Sequence, residues 1–255
     1  MRTHVAALAA SIVFAAADLG GGAVAQAAER KVLIVVTSHN RMGVTDEATG
    51  LWLSEMTHPY HELDQAGFTV DIASIQGGAA PVDPRSIGGD DPVNAAFMGK
   101  AATRAKLENT LALDKVSPGD YAAILFSGGH GTVWDFPSSP AVDRVASAIA
   151  ARGGVAAVCH GPSALLNVHA PDGNLLIKGK RVAGFSNAEE RAAKLEAVVP
   201  FLLEDRLKEG GAQYVEGAMF TRHVVVDGSL VTGQNPQSAA AVGEAIVELL
   251  RHRGG

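Results

Sequence analysis

The stretch Val155-Ala156-Ala157-Val158-Cys159-His160-Gly161-Pro162 runs from small and β-branched apolar residues into a cysteine, a histidine and a turn. Four apolar residues in succession predict a strand that is buried on both faces, as in parallel sheets. Gly161 and Pro162 end that strand, and residues 163–168 are predicted to belong to the helix that follows. The stretch therefore predicts a sharp strand-to-helix turn with Cys159 at its tip.

Further apolar runs on both sides of this turn predict the rest of the sheet. Strands are predicted for residues 32–38, 68–74, 121–127 and 181–185, with a hairpin over 223–232 that turns at Asp227-Gly228. Helices are predicted for 48–66, 141–152, within 188–209 and for 236–251, and Pro59 is expected to break or kink the first. Because strands alternate with helices, the fold class is predicted to be α/β, with a mostly parallel sheet sandwiched by helices.

Residues 76–115 interrupt this alternation. The segment is rich in Gly, Pro, Asp and Asn and precedes a short helical stretch, so we expect a small insertion or cap. In open α/β sheets, ligands bind at the carboxyl ends of the strands. Ser38, the 128–131 loop, Cys159 and Phe185 are therefore predicted to gather around one cleft.

Composition limits the class of protein. The 255 residues have 47% hydrophobic and 19% charged content, which is typical of one globular domain, predicted to span residues 31–253. The formal net charge is −6, with no basic stripe, so a nucleic acid is not expected as a partner.

The first residues are typical of a secretion signal. Met1-Arg2-Thr3-His4 precedes a mostly apolar run over 5–17 and then small residues, so residues 1–27 are predicted to be a signal peptide cleaved after Ala25 or Ala27. The apolar run is short for a bilayer span, and no stable membrane association is expected. A periplasmic or secreted protein is predicted, with a cytoplasmic location as the alternative.

Cys159 is the single cysteine, so no intramolecular disulfide can form. At the predicted turn, backbone amides and the following helix N-terminus are expected to favour the thiolate, the form that attacks a carbonyl carbon. His160 can accept a proton once a carboxylate orients its ring, and its amide can stabilise an oxyanion. The alternatives are a cysteine that fills core space and a histidine that is merely packed.

Several motifs together resemble the DJ/PfpI superfamily, and in particular its chaperone and glyoxalase III branch. The resemblance covers the chain from residue 31 onward and implies the flavodoxin-like, class I glutamine amidotransferase-like fold. The motifs that carry it are Ala157-Val158-Cys159-His160-Gly161-Pro162, Ser127-Gly128-Gly129-His130-Gly131-Thr132, the 50–60 stretch around Glu55, Asp71-Ile72-Ala73-Ser74, Asp135-Phe136-Pro137, Gly184-Phe185-Ser186 and Val231-Thr232-Gly233-Gln234-Asn235-Pro236.

The resemblance also implies roles for individual residues. Cys159 would be the nucleophile, and Glu55 the carboxylic acid that tunes the thiol and moves protons. Glu190 best matches the acidic triad position beside His160, with Glu189 as its rival. Gly129 matches the loop position whose amide joins the oxyanion hole. His130 would line the same cleft or stabilise the loop.

No metal or cofactor is expected. His58, His61 and Glu62 lie close together in sequence, but their spacing is a poor zinc signature, and surface polar residues are the favoured interpretation. The chain also lacks a P-loop and a dinucleotide-binding fingerprint.

The leading functional hypothesis is a glutathione-independent glyoxalase that converts methylglyoxal to lactate through a cysteine hemithioacetal. Alternatives are a holding chaperone, a protein deglycase, a redox sensor and a glutaminase-type amidohydrolase. The last would need a His-x-Glu pair after Cys159, and the later histidines His169, His223 and His252 lack one. A small dicarbonyl substrate and a homodimer are the partners that the resemblance implies.

Overall fold

A computed structural model describes residues 31–253. The strands in this range are β1 (Lys31–Val36), β2 (Thr69–Ser74), β3 (Leu111–Ala112), β4 (Ala123–Phe126), β5 (Gly154–Val158), β6 (Arg181–Val182), β7 (Gln213–Tyr214), β8 (Val224–Asp227) and β9 (Leu230–Gly233). The predicted signal peptide, residues 1–27, lies outside the described residues and stays a prediction.

Seven of these strands form one mostly parallel sheet in the order β3-β2-β1-β4-β5-β9-β8. Every pairing is parallel except that of β8 with β9, the predicted hairpin. All residues of β4 and β5, and all but the first of β1, are buried, as expected for continuous apolar runs in the middle of a parallel sheet. The predicted fold class is confirmed.

Helices cover the sheet. They are α1 (Leu53–Gln65), α2 (Pro92–Gly99), α3 (Ala101–Glu108), α4 (Thr132–Asp135), α5 (Pro140–Ala150), α6 (Asn187–Ala193), α7 (Leu203–Glu209) and α8 (Ala239–Arg253). Helices α1 and α8 pack against each other, and α5 packs against β4 and β5. Within residues 31–253, no helix has both the length and the apolar character that a membrane span requires.

Three local predictions differ from the structure. Helix α1 continues through Pro59 instead of breaking there. The residues after Cys159 form a 3-10 helix, Gly161–Asn167, and a proline near the start suits either helix type, so the sequence did not separate them. The strand predicted for 181–185 shortens to β6, which pairs with β7 in a separate small sheet. The amides of Ala183 and Phe185 instead donate to the Thr232 hydroxyl and the Cys159 carbonyl.

The 76–115 segment is more regular than predicted. It contains a 3-10 turn, Pro84–Ser86, then α2 and α3. It continues in β3, which adds an edge strand to the main sheet beside β2, and in a second 3-10 turn, Leu113–Lys115. Asp83 and Asp91 begin the 3-10 turn and α2 by accepting backbone amide hydrogen bonds. The role of this segment as a cap stays a prediction.

The topology places the loops that follow β4 and β5 at one edge of the sheet. Strands β2 and β3 lie on one side of β1, and strands β4 and β5 lie on its other side. The strand order therefore reverses between β1 and β4. The segments that follow β4 and β5 carry Gly128–Gly131 and Cys159 respectively. This reversal is where open α/β sheets usually bind ligands.

Close packing around the Cys159 turn yields a first prediction. A Cβ on Gly161 would overlap the carbonyl oxygen of Phe126, whereas a Cβ on the exposed Gly119 would meet nothing. We expect Gly161→Ala to lower the free energy of unfolding by about 1 to 3 kcal/mol, because core overpacking costs about this much. Urea denaturation measures this, with Gly119→Ala as the control. Equal stabilities of the two variants would contradict the tight turn.

Candidate active site

Cys159 sits in a strained conformation directly after β5. Its φ of 59° lies in the left-handed region, which residues with a side chain seldom adopt. Hydrogen bonds hold it there, since its amide donates to the Gly233 carbonyl over 2.9 Å and its carbonyl accepts from the Phe185 amide over 2.8 Å. The side chain is 4% exposed. The turn thus fixes where the sulfur points.

His160 links the sulfur to a carboxylate. Its Nδ1 lies 3.4 Å from Sγ of Cys159, and its Nε2 lies 2.7 Å from Oε2 of Glu190, on α6. The rival Glu189 lies elsewhere, because it closes a capping box with Ser186 and accepts hydrogen bonds from the Phe220 amide and the Asn235 side chain. The structure therefore brings Cys159, His160 and Glu190 together and leaves Glu189 out.

The charge of Glu190 fixes the proton on His160. Burial raises the pKa of Glu190, but the charge of His160 and hydrogen bonds from His130 and His160 outweigh it and hold that pKa far below its usual range. An ionised carboxylate only accepts hydrogen bonds, so Nε2 of His160 carries a proton. In the neutral ring, Nδ1 then presents a lone pair to the Cys159 thiol. The Phe185 ring covers the imidazole, with centroids 4.5 Å apart.

Glu55 approaches the sulfur from the first turn of α1. The side chain is fully buried, and neither carboxyl oxygen has a partner with hydrogen-bond geometry within residues 31–253. Burial raises the pKa of this carboxyl well above its ordinary value, although the Cys159 thiol and the Gly128 backbone act in the opposite direction. Gly128 makes the approach possible, because a Cβ there would overlap Glu55 Oε2.

The Cys159 thiol is also disfavoured as an anion. Burial and the neighbouring Glu55 raise its pKa well above the ordinary value, and the Gly129 amide lowers it by less. The expectation that the turn favours the thiolate is therefore wrong for the unliganded protein. Two acidic groups in contact and away from water hold their protons, so attack by the sulfur needs an acceptor for the thiol proton.

Gly129 and His130 lie on the loop after β4. Gly129 has a φ of 99° and fits against the backbone of Gly50 and Trp52, with its amide directed at the Cys159 side chain. His130 is buried, and its Nε2 lies 3.1 Å from Oε1 of Glu190. Burial and the charges of His160 and Arg85 outweigh the attraction of Glu190 and lower the pKa of His130 to about 4.

These groups line one cavity of about 480 Å³. Glu55, Gly129, His130 and Cys159 form its reactive part. Around them lie the aromatic side chains of Trp52, Phe185 and Phe220. Polar side chains from the 76–115 segment complete the lining, among them Arg85, Asp91 and Asn94. The cavity therefore admits a molecule several times larger than a three-carbon carbonyl compound.

Three side chains of the kind that bind metals lie together at this site. Within residues 31–253, only His130, His160 and Glu190 bring three donor atoms together, all within 4.8 Å; His58, His61 and Glu62 do not form such a group. A metal-bound histidine usually donates its second N–H to an acceptor. The second nitrogen of His130 faces the Arg85 guanidinium, which only donates, so a neutral His130 has no free lone pair at Nε2 for a metal.

Sequence reasoning missed Arg85 and Asp83. Asp83-Pro84 predicts a turn, but nothing in the local sequence indicates that the next side chain reaches His130, 45 residues further on. The sequence predicts Phe185 at the cleft, but it does not predict that Trp52 and Phe220 line the same cavity. A pattern of spacing carries no information on contacts between segments so far apart.

Comparison with known proteins gives a consistent family. The chain matches the DJ-1/PfpI family over residues 47–249. It is 31% identical to Glyoxalase 3 of Candida albicans, over 85% of this chain and 97% of the relative. It is 32% identical to the glutathione-independent glyoxalase HSP31 of Saccharomyces cerevisiae, over 88% of this chain and the full length of the relative.

A solved structure agrees with the fold. The crystal structure of Rapid Encystment Protein 24 kDa from Francisella tularensis superposes with a TM-score of 0.84 at 43% sequence identity. The superposition covers 87% of this chain and 99% of the Francisella chain.

The lowered pKa of His130 predicts how stability depends on pH. An unfolded histidine titrates near 6.5, whereas folded His130 stays neutral to about pH 4 beside Glu190, His160 and Arg85. Between these values the unfolded state binds the extra proton, so stability falls as the pH falls, by up to about 3 kcal/mol. Urea denaturation from pH 7 to 4 should show that the free energy of unfolding changes less with pH in His130→Phe than in wild type. A change at the exposed His61 should leave this dependence as in wild type. Parallel slopes for wild type and His130→Phe would contradict the assignment.

Proposed function

This chain belongs to the DJ-1/PfpI family, and on that premise we propose that it is a glutathione-independent glyoxalase that converts methylglyoxal to lactate. The proposal is supported by its similarity, over most of its length, to two proteins named as glyoxalases. The single observation that carries it is the Glu55 carboxyl, which is fully buried beside Cys159 in a cavity and has a raised pKa. A buried acid that borders both the nucleophile and the cavity is a ready proton carrier for a bound substrate.

In the first proposed step, Cys159 adds to the aldehyde carbon. The sulfur forms a bond to that carbon as the thiol proton passes to Nδ1 of His160, which lies 3.4 Å from Sγ and has a free lone pair. Glu190 stabilises the resulting imidazolium, because its ionised carboxylate lies 2.7 Å from the other ring nitrogen. The aldehyde oxygen takes up the proton of Glu55, which leaves Glu55 as a carboxylate, and the product is a hemithioacetal.

In the second step, Glu55 moves a proton between adjacent carbons. As a carboxylate it removes the proton from the hemithioacetal carbon while the His160 imidazolium gives a proton to the ketone oxygen, which yields an enediol. Glu55 then returns its proton to the neighbouring carbon as His160 takes the hydroxyl proton of the first carbon, which becomes the thioester carbonyl. The raised pKa of Glu55 suits this work, since a stronger base abstracts a carbon-bound proton more readily. The amide of Gly129, which is directed at the Cys159 side chain, would stabilise negative charge on the substrate oxygen.

The last step releases lactate. The second step leaves a lactoyl thioester on Cys159, and water then cleaves the carbon–sulfur bond to give lactate and the free thiol. The aldehyde carbon is oxidised while the ketone carbon is reduced, so the reaction consumes only water. The balance of this reaction requires no external oxidant or reductant.

The other functional hypotheses stay predictions. A protein deglycase would use the same nucleophile, and a redox sensor would use its oxidation. A holding chaperone would need exposed apolar surface, and the described chain exposes large apolar side chains mainly at single positions, such as Val44, Ile87 and Val226. The homodimer and the export of the protein likewise stay predictions.

Replacement of the nucleophile tests the proposal. We expect Cys159→Ser to lower kcat for lactate formation from methylglyoxal by at least about 10³-fold, because loss of a nucleophile removes the covalent pathway. Lactate is measured without glutathione or added metal, and Cys159→Ala serves as a second variant. Thermal unfolding near that of wild type shows that both variants fold.

Two results would contradict the glyoxalase. One is unchanged lactate production by both variants, and the other is wild-type protein that produces no lactate from methylglyoxal or glyoxal. Suppression of client aggregation that survives both replacements would in that case favour the chaperone.

A further inference from the structure

We propose that Arg85 is a positioning residue of this site, which acts by holding His130 in a single tautomer. The inference rests on the proposed function for its effect on turnover. Its structural part, the proton on one nitrogen of His130, can be measured without any activity. Arg85 belongs to the 76–115 segment, so the proposal gives that segment a direct part in the reaction.

A buried carboxylate holds the Arg85 guanidinium in place. Both oxygens of Asp83 accept from it, Oδ1 from Nε over 2.9 Å and Oδ2 from Nη2 over 2.6 Å. Asp83 is fully buried and is itself fixed by the Thr49 hydroxyl and by the amide of Arg85. A planar guanidinium in a two-point contact has little freedom to rotate, so the direction of its remaining N–H bonds is set.

The guanidinium and the Glu190 carboxylate, on opposite sides of the ring, together decide which nitrogen of His130 carries the proton. Nη2 of Arg85 lies 3.3 Å from Nδ1 of His130. Arginine has donors only and keeps its charge, so Nδ1 must accept. Because a neutral imidazole has one N–H, the proton of His130 is on Nε2, where it donates to Oε1 of Glu190 over 3.1 Å. The positive charge of Arg85 also opposes protonation of Nδ1.

Glu190 therefore receives two N–H donors, one from each histidine. His130 occupies Oε1 and His160 occupies Oε2, so the carboxylate is held in one orientation. Its Oε2 then keeps the proton of His160 on Nε2 and the lone pair on Nδ1, toward Cys159. The chain of contacts runs from Asp83 through Arg85, His130, Glu190 and His160 to the sulfur.

Loss of the guanidinium removes the constraint on His130. Without a donor at Nδ1, Glu190 alone favours the proton on Nε2, so the tautomer with the proton on Nδ1 becomes populated, and in that tautomer the Nε2 lone pair faces the carboxylate. Glu190 would then lose a donor and its fixed orientation. Arg85→Met keeps a long side chain without donors, whereas Arg85→Lys keeps a charge that cannot contact Asp83 and His130 in the same forked geometry.

Nitrogen NMR of the histidine rings tests the tautomer. In wild type we expect His130 to show an unprotonated Nδ1 and a protonated Nε2, with the signals assigned by their loss in His130→Phe. In Arg85→Met, the two nitrogens should shift toward each other as both tautomers become populated. Arg222→Met, which removes an exposed arginine paired with Glu244, is the matched control and should leave the spectrum unchanged. A protonated Nδ1 in wild type, or identical spectra for wild type and Arg85→Met, would overturn the proposal.

Kinetics separate positioning from substrate binding, since Arg85 also lines the cavity and its side chain is 41% exposed. We expect Arg85→Met to lower kcat by about 10- to 100-fold, the range known for groups that orient metal-binding histidines, with little change in KM. In a His130→Phe background, the same replacement should cost less than about twofold, because the two residues act as one unit. A raised KM with unchanged kcat, or an equal loss of kcat in both backgrounds, would contradict action through His130. If the wild-type protein produces no lactate, the proposed function is contradicted, whereas the NMR result on the His130 tautomer remains valid.

Discussion

The contact between the buried Glu55 carboxyl and the Cys159 thiol is the interaction on which the site depends. Burial is the largest cost of a negative charge on either group, and Glu55 adds to that cost for Cys159, although the thiol partly offsets it for Glu55. The unliganded pair therefore holds its protons until a substrate arrives. A resting thiol is a weak nucleophile, but it is also poorly reactive toward oxidants, which attack the thiolate. His160 supplies the acceptor that the addition requires.

The fold brings these groups together by using small residues where segments cross. Gly128 leaves room for Glu55, Gly129 fits against Gly50 and Trp52, and Gly161 lies against the Phe126 carbonyl. The buried strands β1, β4 and β5 fix the edge of the sheet from which these loops emerge. The strained backbone of Cys159 is stabilised by two hydrogen bonds, because its amide donates to the Gly233 carbonyl and its carbonyl accepts from the Phe185 amide. A rigid scaffold therefore sets the position of the sulfur.

How far the sequence predicts this structure depends on how local the signal is. The strand ending at Val158, the turn at Cys159 and the hairpin at Gly228 follow from patterns within a few residues, and the predictions agree with the structure. No local pattern indicates the role of Glu55, because its neighbours are those of an ordinary residue of an amphipathic helix. Only the family resemblance predicts that role. Arg85 was missed since its contacts with Asp83 and His130 depend on how the 76–115 segment folds back. The state of the thiol was predicted wrongly, because burial by distant segments outweighs the amides of the turn.

The state of the single thiol tests the central claim most directly. Cys159 is the only cysteine of the chain, so the ultraviolet absorbance of the thiolate, followed as the pH rises, reports on this one residue. In wild type the thiolate should appear only well above the pH at which an ordinary cysteine ionises, near 8.5. Because Glu55 contributes to the raised pKa, Glu55→Gln should lower the midpoint, whereas Asp64→Asn on the exposed side of the same helix should not. An ordinary midpoint in wild type, or the same midpoint in wild type and Glu55→Gln, would contradict the coupling of the two groups.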